Sequence, residues 1–157
     1  MLSIRRTKKG AAIAEVGPAL ILLLLMCVFP ILDLIFAGCA YTGCMLLNDL
    51  ELREACRVPS SACDTELTAI TMNFCNSGIG RFIGIEGQPT FQVNYEDDAQ
   101  SQGGAAVNNV YVTVATTLII HPFLTIPFFN SVPALGAPVT YTIVGRKILE
   151  NPGYAVH

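Results

Sequence analysis

Residues 16–32, VGPALILLLLMCVFPIL, are 17 consecutive positions without a formal charge. In a chain of only 157 residues, a helix apolar on every side points to a membrane rather than to a soluble core. Counted from Ala11, the stretch is 22 residues long and holds one acid, Glu15. As an α-helix it measures about 33 Å at 1.5 Å per residue, enough to cross a hydrocarbon core about 30 Å thick. The preceding residues, MLSIRRTKKG, carry Arg5, Arg6, Lys8 and Lys9 and no acid. Basic flanks stay on the cytoplasmic side. The predicted topology is therefore single-pass, with the N-terminus inside and everything after Leu32 exported. A secretory signal peptide has the same order of basic and apolar regions, but a shorter apolar stretch. Here Asp33 also stands just before Ala37-Gly38-Cys39-Ala40, the sequence that would imitate a cleavage site.

Charge supports this reading. Charged residues make up 13% of the chain, against roughly 25% in globular proteins. Four of the nine basic residues lie in the first ten positions, and without them five basic side chains face twelve acidic ones, a net charge of −7. That balance excludes nucleic acid as an expected partner. No GxSxG, Walker or HExxH pattern occurs. The two histidines, His121 and His157, leave little general-base chemistry. No CxxC or histidine pair suggests zinc, and Glu96, Asp97 and Asp98 lack calcium-loop spacing, which leaves a solvated turn. The expectation is a non-enzyme without cofactor or metal.

A basic leader, Gly10, four small or apolar residues, Glu15 and then a long apolar helix form a pattern that resembles the prepilins. GAAIAEVGPALILLLL, ILDLIFAG and LELREACR are most similar to TadE-like pseudopilins of the tight-adherence (Flp) type IV pilus family, over about a third of the chain. VTYTIVGRKILENP near the C-terminus is a looser echo. The resemblance implies that a prepilin peptidase cuts between Gly10 and Ala11, removing the leader and keeping the anchor. It implies a minor pilin or pseudopilin in the bacterial inner membrane or, once assembled, in an extracellular pilus. Its partners would be other pilins, an inner-membrane assembly platform and membrane lipid. Ala11 departs from the aromatic that follows the glycine in many type IV pilins, and Val16 from the Tyr of major Flp pilins. The alternative is an uncleaved, single-pass membrane-anchored binding module.

In the pilin reading, the Glu15 carboxylate pairs with the free α-amino group of a neighbouring Ala11 and sets axial register. In the plainer one it is solvated among headgroups. A carboxylate at a membrane helix centre costs roughly 2.5–3.5 kcal/mol, so either way it needs a polar partner. Asp33, 18 residues on, reaches the outer interface as a boundary residue or a pairing group. Pro18 and Pro30 are expected to bend the helix.

Residues 46–57 read as amphipathic, with Leu46, Leu47, Leu50 and Leu52 apolar and Asn48, Asp49, Glu51, Arg53 and Glu54 elsewhere. The helix is predicted over residues 11–57, its lower part (about 11–35) transmembrane, and ends before Pro59. Residues 58–157 form the exported domain. Residues 64–76 suggest a short helix capped by Asp64 and stopped by Gly78. Alternation at Phe91/Val93/Tyr95, Val110/Val112/Val114 and Val139/Tyr141/Ile143 predicts three antiparallel strands with one face on the helix. The fold class is thus α+β. Residues 118–129 are apolar but only 12 long, a buried connection or a contact surface, with His121 packed inside it. Among six cysteines, Cys56–Cys63 is the first candidate disulfide and Cys63–Cys75 the second, in a compartment that permits oxidation.

Overall fold

The computed structural model describes residues 8–98, 109–124 and 129–155. Of the expected leader, residues 1–7 lie outside these, as does the flexible connection expected at 99–108. The fold is α+β: a long N-terminal apolar helix, shorter helices and a three-stranded antiparallel sheet.

The long helix is one continuous rod. Helix α1 (Lys8–Leu23) passes through a π-helical turn (Leu24–Val28) into α2 (Phe29–Ala55). The turn has a local cause. Pro30 supplies no N–H, and its ring crowds the carbonyl four residues back. One wide turn relieves this, with the Phe29 N–H reaching Leu24 O. Pro18 is carried inside α1.

Helix α3 (Ser60–Asn76) starts one turn earlier than the sequence suggested. Pro59, with φ −60° and ψ 148°, is the extended residue that launches it, so Asp64 is an interior residue and not the cap. Ser77 ends α3 in an extended conformation, and its hydroxyl accepts from Gly80 N to start α4 (Gly78–Phe82). Gly78 is therefore the first residue of a helix and not a stop.

The sheet runs β1 (Thr90–Asp98), β2 (Asn109–Ile120), β3 (Val139–Ile148) in spatial order. Val93 pairs with Val114 and Val114 with Gly145. The central strand alternates as its sequence does: Val110, Val112, Val114, Thr116, Leu118 and Ile120 are all buried. Residues 118–120 thus belong to β2 and not to a connection. Glu96 and Asp97 lie within β1 and not in a turn.

Helix α2 packs across β2 and β3, and the core divides into two apolar clusters. Leu52, Ala55, Cys56, Cys63, Leu67 and Val112 belong to the upper one. Ala40, Cys44, Leu47, Phe74, Ile83 and Leu118 belong to the lower. Close approach depends on Gly145. A Cβ built there would stand 2.6 Å from Asn48 Oδ1 and 2.9 Å from Leu52 Cδ2. Gly145→Val is expected to push helix and sheet apart and to destabilise by about 1–3 kcal/mol, the usual cost of overpacking. Denaturant melts of the full chain in detergent would check this, and wild-type stability would contradict it.

Candidate functional site

The rod's surface is the most unusual feature of the molecule. Twenty residues from Val16 rise about 30 Å, so a bilayer core that starts there ends near Ile35. Within this length Val16, Leu20, Ile21, Leu22, Leu23, Met26, Ile31 and Leu32 are all exposed. The rod from Val16 to Ala55 is long and apolar enough to cross a membrane. Gly10 and Ala11 lie on the backbone of α1, as does Glu15. The Glu15 carboxylate falls outside the described side chains.

Beyond Ile35 the rod is two-faced. One face lies on the sheet. The other still shows apolar side chains: Tyr41, Met45, Leu46 and Leu50 are exposed. This reverses part of the sequence reading. Leu46 and Leu50 were expected on the apolar packing face, with Asn48 and Glu51 elsewhere. Instead Asn48 and Glu51 are buried against the domain, while Leu46 and Leu50 point away. A groove beside them is flanked by Ile70, Phe74 and Ile79, with Arg53 and Arg57 at its rim.

The buried polar residues form one connected layer. Asn48 Nδ2 approaches Val114 O and Thr116 Oγ1 at 2.9 Å and Ile143 O at 3.2 Å. Thr116 Oγ1 donates to Glu51 Oε2, and Thr71 Oγ1 lies 2.7 Å from Glu51 Oε1. Glu51 is 0% exposed. Burial raises its pKa from the ordinary 4.5, an effect partly offset by the hydroxyls of Thr116 and Thr71, which favour the anion. Burial first, and Glu51 second, holds the Cys44 thiol up at about 11. Sequence pattern alone missed this layer. The available signal was Asn48 and Glu51 at i, i+3, on the same side of the helix as Leu47, Leu52 and Ala55.

Asp33 is also buried, 1% exposed, and is not an open boundary residue. The chain after β2 folds over it, and Leu124 N donates to Asp33 Oδ1 at 2.8 Å. Its Oδ2 has no partner among the described residues. His121 is half exposed and not packed. Its Nε2 lies 2.6 Å from Glu86 Oε2, because alternation beyond the buried Ile120 turns it outward. Arg53–Asp49 and Arg146–Glu96 are exposed pairs at 2.7 and 3.1 Å. Such pairs contribute about 0–1 kcal/mol.

Cys56 and Cys63 are free thiols buried in the same cluster, and Tyr95 packs against that cluster. The Tyr95 hydroxyl faces the Cys63 thiol, outside ordinary hydrogen-bond geometry. Burial raises both thiol pKa values. The second candidate pairing fails on geometry. Cys63 and Cys75 are twelve residues apart on α3, about 18 Å along its axis, and a disulfide tolerates a Cα separation of only about 7 Å. Among the described residues, no group of three or more His, Cys, Asp or Glu side chains could hold a metal ion.

Comparison with protein-family models, curated proteins and solved structures finds no match.

The buried carboxylate gives stability a pH dependence. Because the folded-state pKa of Glu51 is raised, the native chain binds the proton more tightly than the unfolded one. Stability should fall as pH rises from 4.5 through the raised value, and stay lower above it. Gln fits the same site, since Thr71 can turn its proton to Leu67 O, 2.8 Å away. Glu51→Gln is expected to melt higher than wild type at neutral pH, with the gap closing toward acid. Thermal melts across pH would show it, and a variant that melts lower at neutral pH would contradict it.

Proposed function

We propose that the chain is a minor pseudopilin of the tight-adherence type. In this reading it is a structural subunit anchored in the bacterial inner membrane, processed by a prepilin peptidase, and added to a pilus or its assembly machinery through its N-terminal helix. One observation carries the reading: apolar side chains stay exposed along the rod from Val16 to Leu50. That distance is about 51 Å, and lipid covers only about 30 Å of it. The remaining 20 Å or so of apolar helix surface lies above the bilayer and needs a protein partner. Rods of the same kind, set side by side, fit that need. The groove flanked by Ile70 and Phe74 offers further apolar surface. The described residues also leave chemistry little to work with, since their ion pairs are exposed and their one connected polar layer sits inside the core.

Processing tests the reading. Removing residues 1–10 would take away Arg5, Arg6, Lys8 and Lys9 and free the α-amino group of Ala11 near Glu15. Intact mass of the membrane-extracted protein, made alongside a prepilin peptidase, should show loss of MLSIRRTKKG, and replacing Gly10 should abolish that loss. A chain that keeps its N-terminus under these conditions would favour the uncleaved, anchored binding module instead.

A further inference from the structure

The lower end of the exported domain carries an exposed aromatic cluster. Phe82, at the end of α4, is 65% exposed, and Phe123, just after β2, is 64% exposed. Both meet Phe36 of the rod, with ring centroids 5.7 and 5.3 Å apart. With Leu32, Ile35 and Cys39 they line one apolar cleft.

Two attachments hold these rings in place. Ile83, next to Phe82, is buried in the lower core cluster. Leu124, next to Phe123, donates its backbone N–H to the buried Asp33. The rings are therefore fixed on a packed scaffold, although each leaves most of its area uncovered. Aromatic side chains exposed to this extent mark a contact surface.

We propose that Phe82 and Phe123 form a foot that enters the outer leaflet of the bilayer crossed by the rod. This inference rests on the reading that residues 16–35 span the membrane. Depth favours lipid as the occupant. Phe36 lies 20 residues beyond Val16, about 30 Å up the axis, which is the level where the hydrocarbon core gives way to headgroups. The cluster is continuous with Leu32 and Ile35, whose exposed faces belong to the span. Aromatic rings concentrate at this level in membrane proteins. Arg81, beside Phe82, is exposed and can reach the headgroup phosphates by extending its stem. The Glu86–His121 pair sits at the same end of the sheet and stays half in water. A domain held by both rod and foot cannot swing freely about the rod, so the outward face of Leu46 and Leu50 keeps one height and heading above the membrane.

The chain contains no Trp, so a single substitution gives a clean fluorescent reporter. Phe82→Trp, Phe123→Trp and Met26→Trp would each be made in the full chain and reconstituted into vesicles of brominated phosphatidylcholine. Met26 lies about 15 Å from Val16, near the midplane of the span. Bromine close to the headgroups should quench the first two more than bromine at the acyl-chain ends, and Met26→Trp should show the reverse order. If Met26→Trp is quenched but the other two are not, the anchor stands and the foot falls. Red-shifted emission in that case would mean that they face water, and blue-shifted emission that a second copy covers them. If none of the three is quenched, the spanning reading itself is wrong.

Discussion

The contact between Glu51, Asn48, Thr71 and Thr116 decides how the rod sits on the sheet. Apolar packing alone would allow α2 to rotate or slide, since Leu46, Leu47, Leu50 and Leu52 offer apolar side chains on several faces. A polar layer between two apolar clusters removes that freedom. Turning the helix by one residue, about 100°, would carry Asn48 and Glu51 away from Val114 O and the buried Thr116 hydroxyl, and an unsatisfied buried polar group costs about 1–3 kcal/mol. Apolar residues of similar volume can replace such a buried polar layer without loss of stability; what it supplies here is register. Gly145 acts with it, letting the helix come close enough for Asn48 to reach Val114 O and Ile143 O.

Fixing the buried face also fixes the outward one. With Asn48 and Glu51 inside, Leu46 and Leu50 point away from the sheet and stay exposed along the open groove beside α3. Asp33 performs a related task at the lower end of the sheet. In the reading in which residues 16–35 span the bilayer, its carboxylate lies near a depth where an open charge would be expensive. The segment after β2 covers it and offers it the Leu124 N–H. The same bond brings Phe123 against Phe36, so the group that ends the apolar run also places the aromatic cluster beside it.

Much of the fold was legible in the sequence because its signals were periodic. The charge-free run gave the rod, and alternation at Val110, Val112 and Val114 gave the central strand with its buried face. Punctuation was less legible. Pro59 opened α3 where Asp64 had looked like the cap, because an extended proline can launch a helix without a side-chain bond. Ser77 restarted the chain at Gly78, which reads as a breaker when taken alone. The polarity of α2 misled for another reason: Glu51 and Asn48 look solvent-facing until Thr71 and Thr116, from two other elements, are placed beside them. Asp33 depended likewise on Leu124, 91 residues away. Partners so distant leave no local pattern. Gly10 and Ala11, which the pilin resemblance links to processing, and Glu15, which it links to subunit register, were identified by resemblance alone, and the fold places them on the rod without giving them a role.

If rods of this kind pack side by side, a second rod covers the outward face that Leu46 presents above the bilayer. Site-directed disulfide trapping in native membranes addresses this directly. Leu46→Cys would be compared with Lys147→Cys, on the exposed edge of the sheet, with Cys27 and Cys39 replaced by Ser in both. Ready dimer formation through position 46 and little through 147 is the expected result. Equal trapping at both positions, or none at 46 in membranes where the protein is correctly inserted, would contradict it.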